Sequence, residues 1–308
     1  MSQFSKLLAL LLLSIPFSGK TQTTIAVESK DYAMAWQADG DNRLRQVHFG
    51  ARLQSAADYG IIGRQLRYNG INEDVFNHIY TPSGTWNISE PALQIKHHDG
   101  NPATELLYLK HQVQTNGDTA HTVITLQDNH YKTEVDLHFK VYVAENVFEQ
   151  WAVIRNGEQG RITLEKFASA NLYFNHRDFY LTQYHGSWAE EMQPETHQLT
   201  SGIKTLDSKL GTRAHLYGPP TFMLSIDGPS TEESGRVLLA NLAWSGNYRF
   251  DFEVDRYENL RLIAGANNHA AAYQLQAGAS FETPHFIFTY SENGRGNVRS
   301  GFLRPPHA

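Results

Sequence analysis

The chain has 308 residues, of which 41% are hydrophobic, 12% aromatic and 19% charged, and it contains no cysteine. The aromatic content argues against disorder, and the lack of cysteine excludes both a disulfide scaffold and a metal site built from thiolates. The formal net charge of −6 provides no basic footprint for nucleic acid or an anionic membrane surface, so neutral or weakly polar partners are expected.

The N-terminus, residues 1–22, has the layout of a secretory signal peptide. Lys6 precedes an apolar run at residues 7–17, and a polar stretch follows. About ten apolar residues suit a signal peptide but are too short to cross a bilayer core of roughly 30 Å. An uncleaved anchor or a buried first helix is the alternative. We expect an exported chain, periplasmic or secreted, whose mature part has no membrane span.

From residue 24 onward the hydrophobic pattern has a period of two, which is typical of half-buried β-strands. The pattern is clearest at residues 131–154, where Val135, Leu137 and Phe139 alternate with polar residues. Similar runs, separated by turn sequences, lie at residues 26–36, 106–113, 122–126, 162–174, 222–226, 237–244, 248–254, 260–264 and 286–290. A candidate helix at residues 51–66 is interrupted by Gly60 and Gly63. The sequence predicts one all-β domain, a large antiparallel sandwich.

The common motifs for a nucleophilic serine, a phosphate loop, a zinc helix or a dinucleotide are absent from the sequence. His97 and His98 adjoin a turn, and neighbouring side chains on a strand point to opposite faces. We therefore interpret them as histidines of a solvated strand face rather than metal ligands.

Two pairs of carboxylates are candidates for glycosidase residues. Glycoside hydrolysis uses two carboxyl groups about 5–9 Å apart across the scissile bond. Glu190 and Glu191 are adjacent in sequence, and Glu232 and Glu233 lie in a polar loop. We expect neither pair to be catalytic.

The segment at residues 180–192 contains Gly186, Ser187 and Trp188 directly after a predicted strand. An indole beside a turn suits a sugar site, because sugars have apolar faces of C–H groups and loops carry binding functions. The alternative is that Trp188 seals one end of the core, as tryptophan often does. Composition alone favours the second interpretation.

Many collinear motifs between residues 32 and 296 resemble glycoside hydrolase family 36, the family of α-galactosidases with some α-N-acetylgalactosaminidases and raffinose-metabolising transferases. They include Glu149-Gln150-Trp151, His185-Gly186-Ser187-Trp188-Ala189-Glu190-Glu191, Leu206-Asp207-Ser208-Lys209-Leu210-Gly211, Trp244-Ser245-Gly246-Asn247-Tyr248 and Gly278-Ala279-Ser280-Phe281-Glu282-Thr283-Pro284.

The resemblance covers the family's N-terminal domain and implies a β-supersandwich of the galactose-mutarotase-like type at residues 23–298. In the family, the two catalytic aspartates of a retaining mechanism lie on a following (β/α)8 barrel. The resemblance therefore implies no catalytic residue, no metal and no cofactor in this chain. By the match of motifs, Trp188 is expected to line the galactose site and Asp74 to contact substrate.

The family pattern fades after Val298, so residues 299–308 are expected to be an atypical tail from a frameshifted or prematurely stopped gene. The expected role is to pack on the catalytic barrel of an enzyme that acts on terminal α-linked galactose of melibiose-type or raffinose-type oligosaccharides. The expected partners are therefore an α-galactoside oligosaccharide, that barrel and a homo-oligomer. A free-standing carbohydrate-binding module and an inactive structural fragment are the alternatives.

Overall fold

The structure, a computed structural model, describes residues 22–65, 77–84, 87 and 89–302. The helices in these ranges are α1 (Ala56–Gln65) and α2 (Arg295–Phe302), with a 3-10 turn at Gly211–Arg213. The strands are β1 (Thr24–Glu28), β2 (Tyr32–Ala38), β3 (Leu44–Ala51), β4 (Leu93–Lys96), β5 (Leu106–Asn116), β6 (Thr119–Asp128), β7 (Thr133–Tyr142), β8 (Val147–Asn156), β9 (Ile162–Phe174), β10 (Tyr180–Ser187), β11 (Glu190–Gln198), β12 (Gly202–Asp207), β13 (Thr221–Ile226), β14 (Arg236–Ala243), β15 (Tyr248–Val254), β16 (Leu260–Ala266), β17 (Tyr273–Leu275), β18 (Ser280–Glu282) and β19 (His285–Ser291).

The described strands form three antiparallel sheets, which confirms the predicted all-β class. The ten-stranded sheet has the order β11-β10-β13-β14-β19-β8-β7-β6-β5, with β18 also paired to β8. The six-stranded sheet has the order β12-β15-β16-β9-β17, with β4 paired to β9, and β1, β2 and β3 form a three-stranded sheet. Residues 131–154 form the hairpin of β7 and β8, in which the alternating apolar residues point inward as predicted.

Aromatic side chains fill the space between the sheets. Phe222 of the ten-stranded sheet lies 5.2 Å from Phe250 and 4.9 Å from Phe252 of the six-stranded sheet, measured between ring centroids, and all three are fully buried. Trp36 of β2 packs at 4.8 Å on Phe139 of β7. Two smaller sheets therefore cover one face of the ten-stranded sheet, and the tilted and edge-to-face ring contacts between them suit the aromatic quadrupole.

Helix α1 forms despite the two glycines that interrupted its sequence pattern. A Cβ atom at Gly63 would lie 2.4 Å from Oε1 of Gln37, and one at Gly60 would lie 3.3 Å from Oγ1 of Thr24. The glycines allow the helix to approach the three-stranded sheet closely, where Tyr59 is fully buried. Tertiary packing thus outweighs the weak helix propensity of glycine.

His97 is not on a solvated face, so that interpretation was wrong. Its side chain is buried, and its Nδ1 atom lies 2.7 Å from Oε1 of Glu158, while Nδ1 of His98 lies 2.6 Å from Oε2 of the same carboxylate. Both histidines follow the end of β4, where strand alternation no longer applies. Burial acts to raise the pKa of Glu158, but its hydrogen bonds with His97, His98 and Thr133 lower it below the ordinary value.

Buried polar contacts anchor residues 77–84 to the six-stranded sheet. Asn171 of β9 donates from Nδ2 to the carbonyl oxygen of His78 at 2.7 Å, and Arg261 of β16 donates from Nη1 to Oγ1 of Thr81 at 3.0 Å. The Arg261 side chain is fully buried and also pairs with Glu253. A buried charge of this kind requires its partners, so these contacts hold the segment in one position.

Helix α2 covers part of the outer face of the ten-stranded sheet. Val298 of α2 is buried against Met223, Val237 and Leu239, and Arg299 forms an ion pair with Glu232 at 3.1 Å. The helix therefore continues across the boundary expected at residue 298. Within the ranges described above, no helix is long and apolar enough to cross a membrane.

We expect acid to destabilise the fold through His78. Burial, and secondarily the nearby charge of Arg45, lowers the pKa of His78 to about 3. Between that value and the unfolded-state pKa near 6.5, the His78 imidazole binds a proton only in the unfolded chain. The stability that is present above about pH 6.5 is therefore lost as the pH falls. The free energy of unfolding should fall through this group by about 1 kcal/mol per pH unit.

Urea denaturation at several pH values tests this expectation. His78→Gln should show a shallower loss of stability on acidification than the unchanged chain, and His130→Gln, at an exposed histidine, should not. Equal pH dependence of the unchanged chain and His78→Gln would contradict it.

Candidate functional site

Trp188 lies at the tip of the hairpin formed by β10 and β11. Ser187 pairs with Glu190, so Trp188 and Ala189 form the two-residue turn. The Trp188 side chain is 93% exposed, which rules out the interpretation that it seals the core. Asp74, the other expected substrate contact, lies outside the described residues.

The hairpin tip has a constrained backbone. A Cβ atom at Gly186 would lie 2.3 Å from the carbonyl oxygen of Glu190, so this position accepts only glycine. Ala189 and Met192 have positive φ angles of 66° and 58°, which cost a non-glycine residue about 1 kcal/mol or more each. The register shifts between His185 and Ser187, which marks a β-bulge. This local geometry constrains the backbone on both sides of Trp188.

The hairpin is tied near its tip to the loop that leads into β13. Gly186 donates its backbone N–H to the carbonyl oxygen of Tyr217 at 3.0 Å. Tyr248 of β15 donates its hydroxyl to the carbonyl oxygen of Gly218, also at 3.0 Å. Thr182 and Thr196 share a hydroxyl hydrogen bond of 2.8 Å across the two strands. The hairpin, the loop and the edge of the six-stranded sheet therefore form one connected surface.

A cavity of about 460 Å³ opens on this surface beside the hairpin. Its polar wall includes Asp207 and Lys209, whose carboxylate and ammonium groups lie 2.8 Å apart. Its aromatic wall includes Tyr184, Tyr217 and Tyr248. Burial, followed by the charge of Asp207, raises the pKa of Tyr248 to about 12, and burial also raises the pKa of Tyr184. Both hydroxyls are therefore neutral at physiological pH and can only act as hydrogen-bonding groups.

Exposed apolar side chains lie at the cavity, where Leu210 and Tyr217 line it, and on the neighbouring loop and hairpin. Leu210 is 48% exposed, Leu216 51% and Tyr217 59%, and Met192 on the hairpin is 52% exposed. We call these four residues together with Trp188 the apolar rim. An apolar surface of this kind next to a cavity is typical of a site that meets a partner.

The candidate carboxylates lie on exposed segments of the chain. Glu190 and Glu191 lie on the exposed strand β11, where Glu191 accepts a hydrogen bond from the backbone N–H of Ala189. Glu232 is engaged by Arg299. In the part of the chain that the structure describes, no group of three or more histidine, aspartate or glutamate side chains is placed to hold a metal ion.

Sequence reasoning found the tip of this site but missed the cavity. Trp188 was singled out because it follows a strand and a Gly-Ser pair. Asp207 and Lys209 lie in a motif that carried the family resemblance, but nothing in the sequence indicated that they share a cavity with Tyr184 and Tyr248. The Gly218-Pro219-Pro220 turn predicts that a loop ends there, but it does not show which elements the loop meets.

The chain resembles known α-galactosidases in sequence. It is 30% identical to Alpha-galactosidase 1 of Pediococcus pentosaceus over 232 residues, which cover 70% of this chain and 31% of that protein. It is 27% identical to the bifunctional α-galactosidase/sucrose kinase AgaSK of Mediterraneibacter gnavus, covering 84% of this chain and 30% of that protein. The chain thus spans about a third of the length of these relatives.

Solved structures share the fold. A variant of the family 36 α-galactosidase AgaA of Geobacillus stearothermophilus, in complex with stachyose, superposes with a TM-score of 0.82 at 21% identity, covering 91% of this chain and 42% of that one. The same enzyme in complex with raffinose gives 0.81 at 22% identity, with the same coverage. Residues 42–276 match the glycosyl hydrolase family 36 N-terminal domain. Because this match covers most of the chain, the chain belongs to glycosyl hydrolase family 36, through that family's N-terminal domain.

Proposed function

We propose that the chain is the domain of an α-galactosidase that packs on the catalytic (β/α)8 barrel and places Trp188 at the galactose pocket. The observation that carries this proposal is a tryptophan that is 93% exposed at the tip of a hairpin with a constrained backbone. An indole held in this way has no role in the core of its own domain. It suits the apolar face of a sugar bound at a neighbouring surface.

The apolar rim supports a contact with a second domain. Leu210, Leu216 and Tyr217 are each about half exposed and lie on the same connected surface as the hairpin. Since the relatives are about three times as long as the region they share with this chain, a catalytic barrel is a suitable occupant. Because these side chains are already about half buried, burying the rest would contribute about 1 kcal/mol each. We also propose that the domain is a β-supersandwich of the galactose-mutarotase-like type.

The proposed substrate is a neutral oligosaccharide with terminal α-linked galactose, of the melibiose or raffinose type. The AgaA structures in complex with stachyose and raffinose support this class. The tyrosine-lined, hydrogen-bonding surface and the net charge of −6 are both compatible with an uncharged ligand. The lysine-preceded apolar run at residues 7–17 supports export of the chain through an N-terminal signal peptide.

A fusion tests the proposed role of Trp188. If this chain replaces the matching part of the Pediococcus pentosaceus α-galactosidase, the fusion should release 4-nitrophenol from the α-galactoside, while the chain alone should not. Trp188→Ala should lower kcat/KM of the fusion about tenfold, equivalent to about 1.4 kcal/mol, because one ring contact with the sugar is lost.

The control for that fusion is Tyr257→Ala. It removes an exposed ring from the turn between β15 and β16, away from the β10–β11 hairpin in sequence, and should leave kcat/KM unchanged. Trp188→Ala should not change the melting temperature, since the side chain packs on little within this domain. An active fusion indifferent to Trp188→Ala would contradict the role of Trp188, and turnover by the chain alone would contradict the role of the barrel.

Gly186→Ala tests whether the hairpin backbone holds Trp188 in place. The added Cβ atom would meet the Glu190 carbonyl oxygen, so the two strands must separate near the tip. Amide exchange at residues 184–194, measured by mass spectrometry, should become faster, and kcat/KM of the fusion should fall to the level of Trp188→Ala. Gly40→Ala, where a Cβ meets nothing within 4 Å, is the matched control. Unchanged exchange in Gly186→Ala would show that the approach of the strands does not constrain the tip.

The second candidate function is a free-standing carbohydrate-binding module, and the cavity of about 460 Å³ favours it. A volume of this size falls within the range of small-molecule sites. Under this alternative, calorimetric titration of the purified chain with raffinose should give saturable heat that Trp188→Ala abolishes. Under the leading proposal, the titration with millimolar sugar should be flat, because the barrel supplies most of the sugar contacts.

A further inference from the structure

The two outer strands of the ten-stranded sheet differ in how they are protected against pairing. Strand β11 carries Pro194, which has no N–H to donate, and the carboxylates of Glu190, Glu191 and Glu195. Proline and charged residues are the devices by which natural sheets block edge-to-edge association. Strand β11 is therefore a protected edge.

Strand β5, at the opposite edge, has almost none of these devices. Its sequence contains no proline and no acidic residue, and Lys110 is its only charged residue. Residues 109–116 are all exposed, and Leu109 and Val113 are 47% and 56% exposed. The bulge between Tyr108 and Lys110 lies near its start and leaves the rest of the strand regular. The described residues place no strand on its outer side. A long regular edge of this kind is a template for another strand.

The β5–β6 hairpin defines which backbone groups of β5 face outward. Asn116 pairs with Thr119 across a two-residue turn, which makes them a hydrogen-bonded pair. Hydrogen-bonded and non-hydrogen-bonded pairs then alternate along the hairpin. His111, Val113 and Thr115 therefore point their N–H and C=O groups away from β6, towards the free edge.

We infer that β5 pairs antiparallel with β5 of a second copy of this chain, which joins the two ten-stranded sheets across a twofold axis. The symmetric register that uses all the outward groups is centred on Val113. In that register Val113 lies opposite itself, and His111 lies opposite Thr115 of the second copy. The three pairs give about six backbone hydrogen bonds.

Charge and symmetry favour a second copy over an unrelated strand. In this register Lys110 lies opposite Asn116 of the second copy, so the two lysines are far apart and no like charges meet. The exposed Val113 side chains face each other on one face of the joined sheet. A contact between identical strands about a twofold axis closes on itself, and the edges that remain are the two protected β11 strands. Pairing of β5 with β11 of another copy would leave open edges and would require Pro194 within the ladder.

Sedimentation equilibrium of the purified chain over a micromolar concentration range tests the inference. The chain should be in reversible equilibrium with a dimer. Val113→Pro removes an outward N–H that β6 does not use, and should raise the dimer dissociation constant at least tenfold. Val113→Thr keeps the N–H and the strand propensity, and should leave the dimer intact.

Val113→Lys keeps the test valid if the proline variant fails to fold, because it places two ammonium groups opposite each other without changing the backbone. It should also give a monomer with unchanged far-ultraviolet circular dichroism. A dimer that persists in both folded variants, or a chain that stays monomeric at high micromolar concentration, would overturn the inference.

A distance measurement tests the register. Since the chain has no cysteine, Asp118→Cys provides a single labelling site at the exposed turn of the hairpin. In the register centred on Val113, residue 118 lies opposite residue 108, so two spin labels at this site should be about 30 Å apart. A dimer with a markedly different label separation would overturn the proposed pairing.

Discussion

The ten-stranded sheet extends at both edges beyond the two sheets that pack on it, and the exposure of β5 and β11 depends on this. The rings of Phe222, Phe250 and Phe252 hold the six-stranded sheet over one part of the large sheet, and Trp36 with Phe139 holds the three-stranded sheet over another. The outermost strands extend beyond this cover. A hairpin that overhangs the core is free to contact something outside the domain.

The two overhanging edges have different chemistry. The hairpin of β10 and β11 carries negative charge and a proline on its outer strand and a tryptophan at its tip, so it resists strand pairing and offers a side chain. Strand β5 has outward-facing N–H and C=O groups, and it has no proline or acidic residue that would oppose pairing with another strand. The β10–β11 edge is suited to binding through the aromatic ring of Trp188, and the β5 edge is suited to binding through backbone hydrogen bonds. These two modes are compatible in one assembly, because they occupy opposite ends of the same sheet.

Much of the fold could be read from the sequence because inward and outward residues alternate where a strand is half covered. Residues 131–154 show this best, and the residues of β7 that point inward are the predicted ones. The same rule failed for β11, whose residues are almost all exposed and so show no alternation. It also failed for His97 and His98, which lie beyond the end of a strand and converge on Glu158. A period of two appears only where a strand is buried on one side. Strands that are exposed on both sides, and residues in turns, therefore cannot be predicted from it.

For the site, the sequence by itself determined the family, the antiparallel β class and the presence of Trp188 after a Gly-Ser pair. These depend on local patterns and on motifs that stay in order along the chain. Only the tertiary structure decided that Trp188 is exposed rather than sealing the core, that Asp207 and Tyr248 share a cavity with Tyr184, and that α1 packs through its glycines. Each of these depends on which distant strands become neighbours, and that is set by packing between sheets rather than by any segment alone.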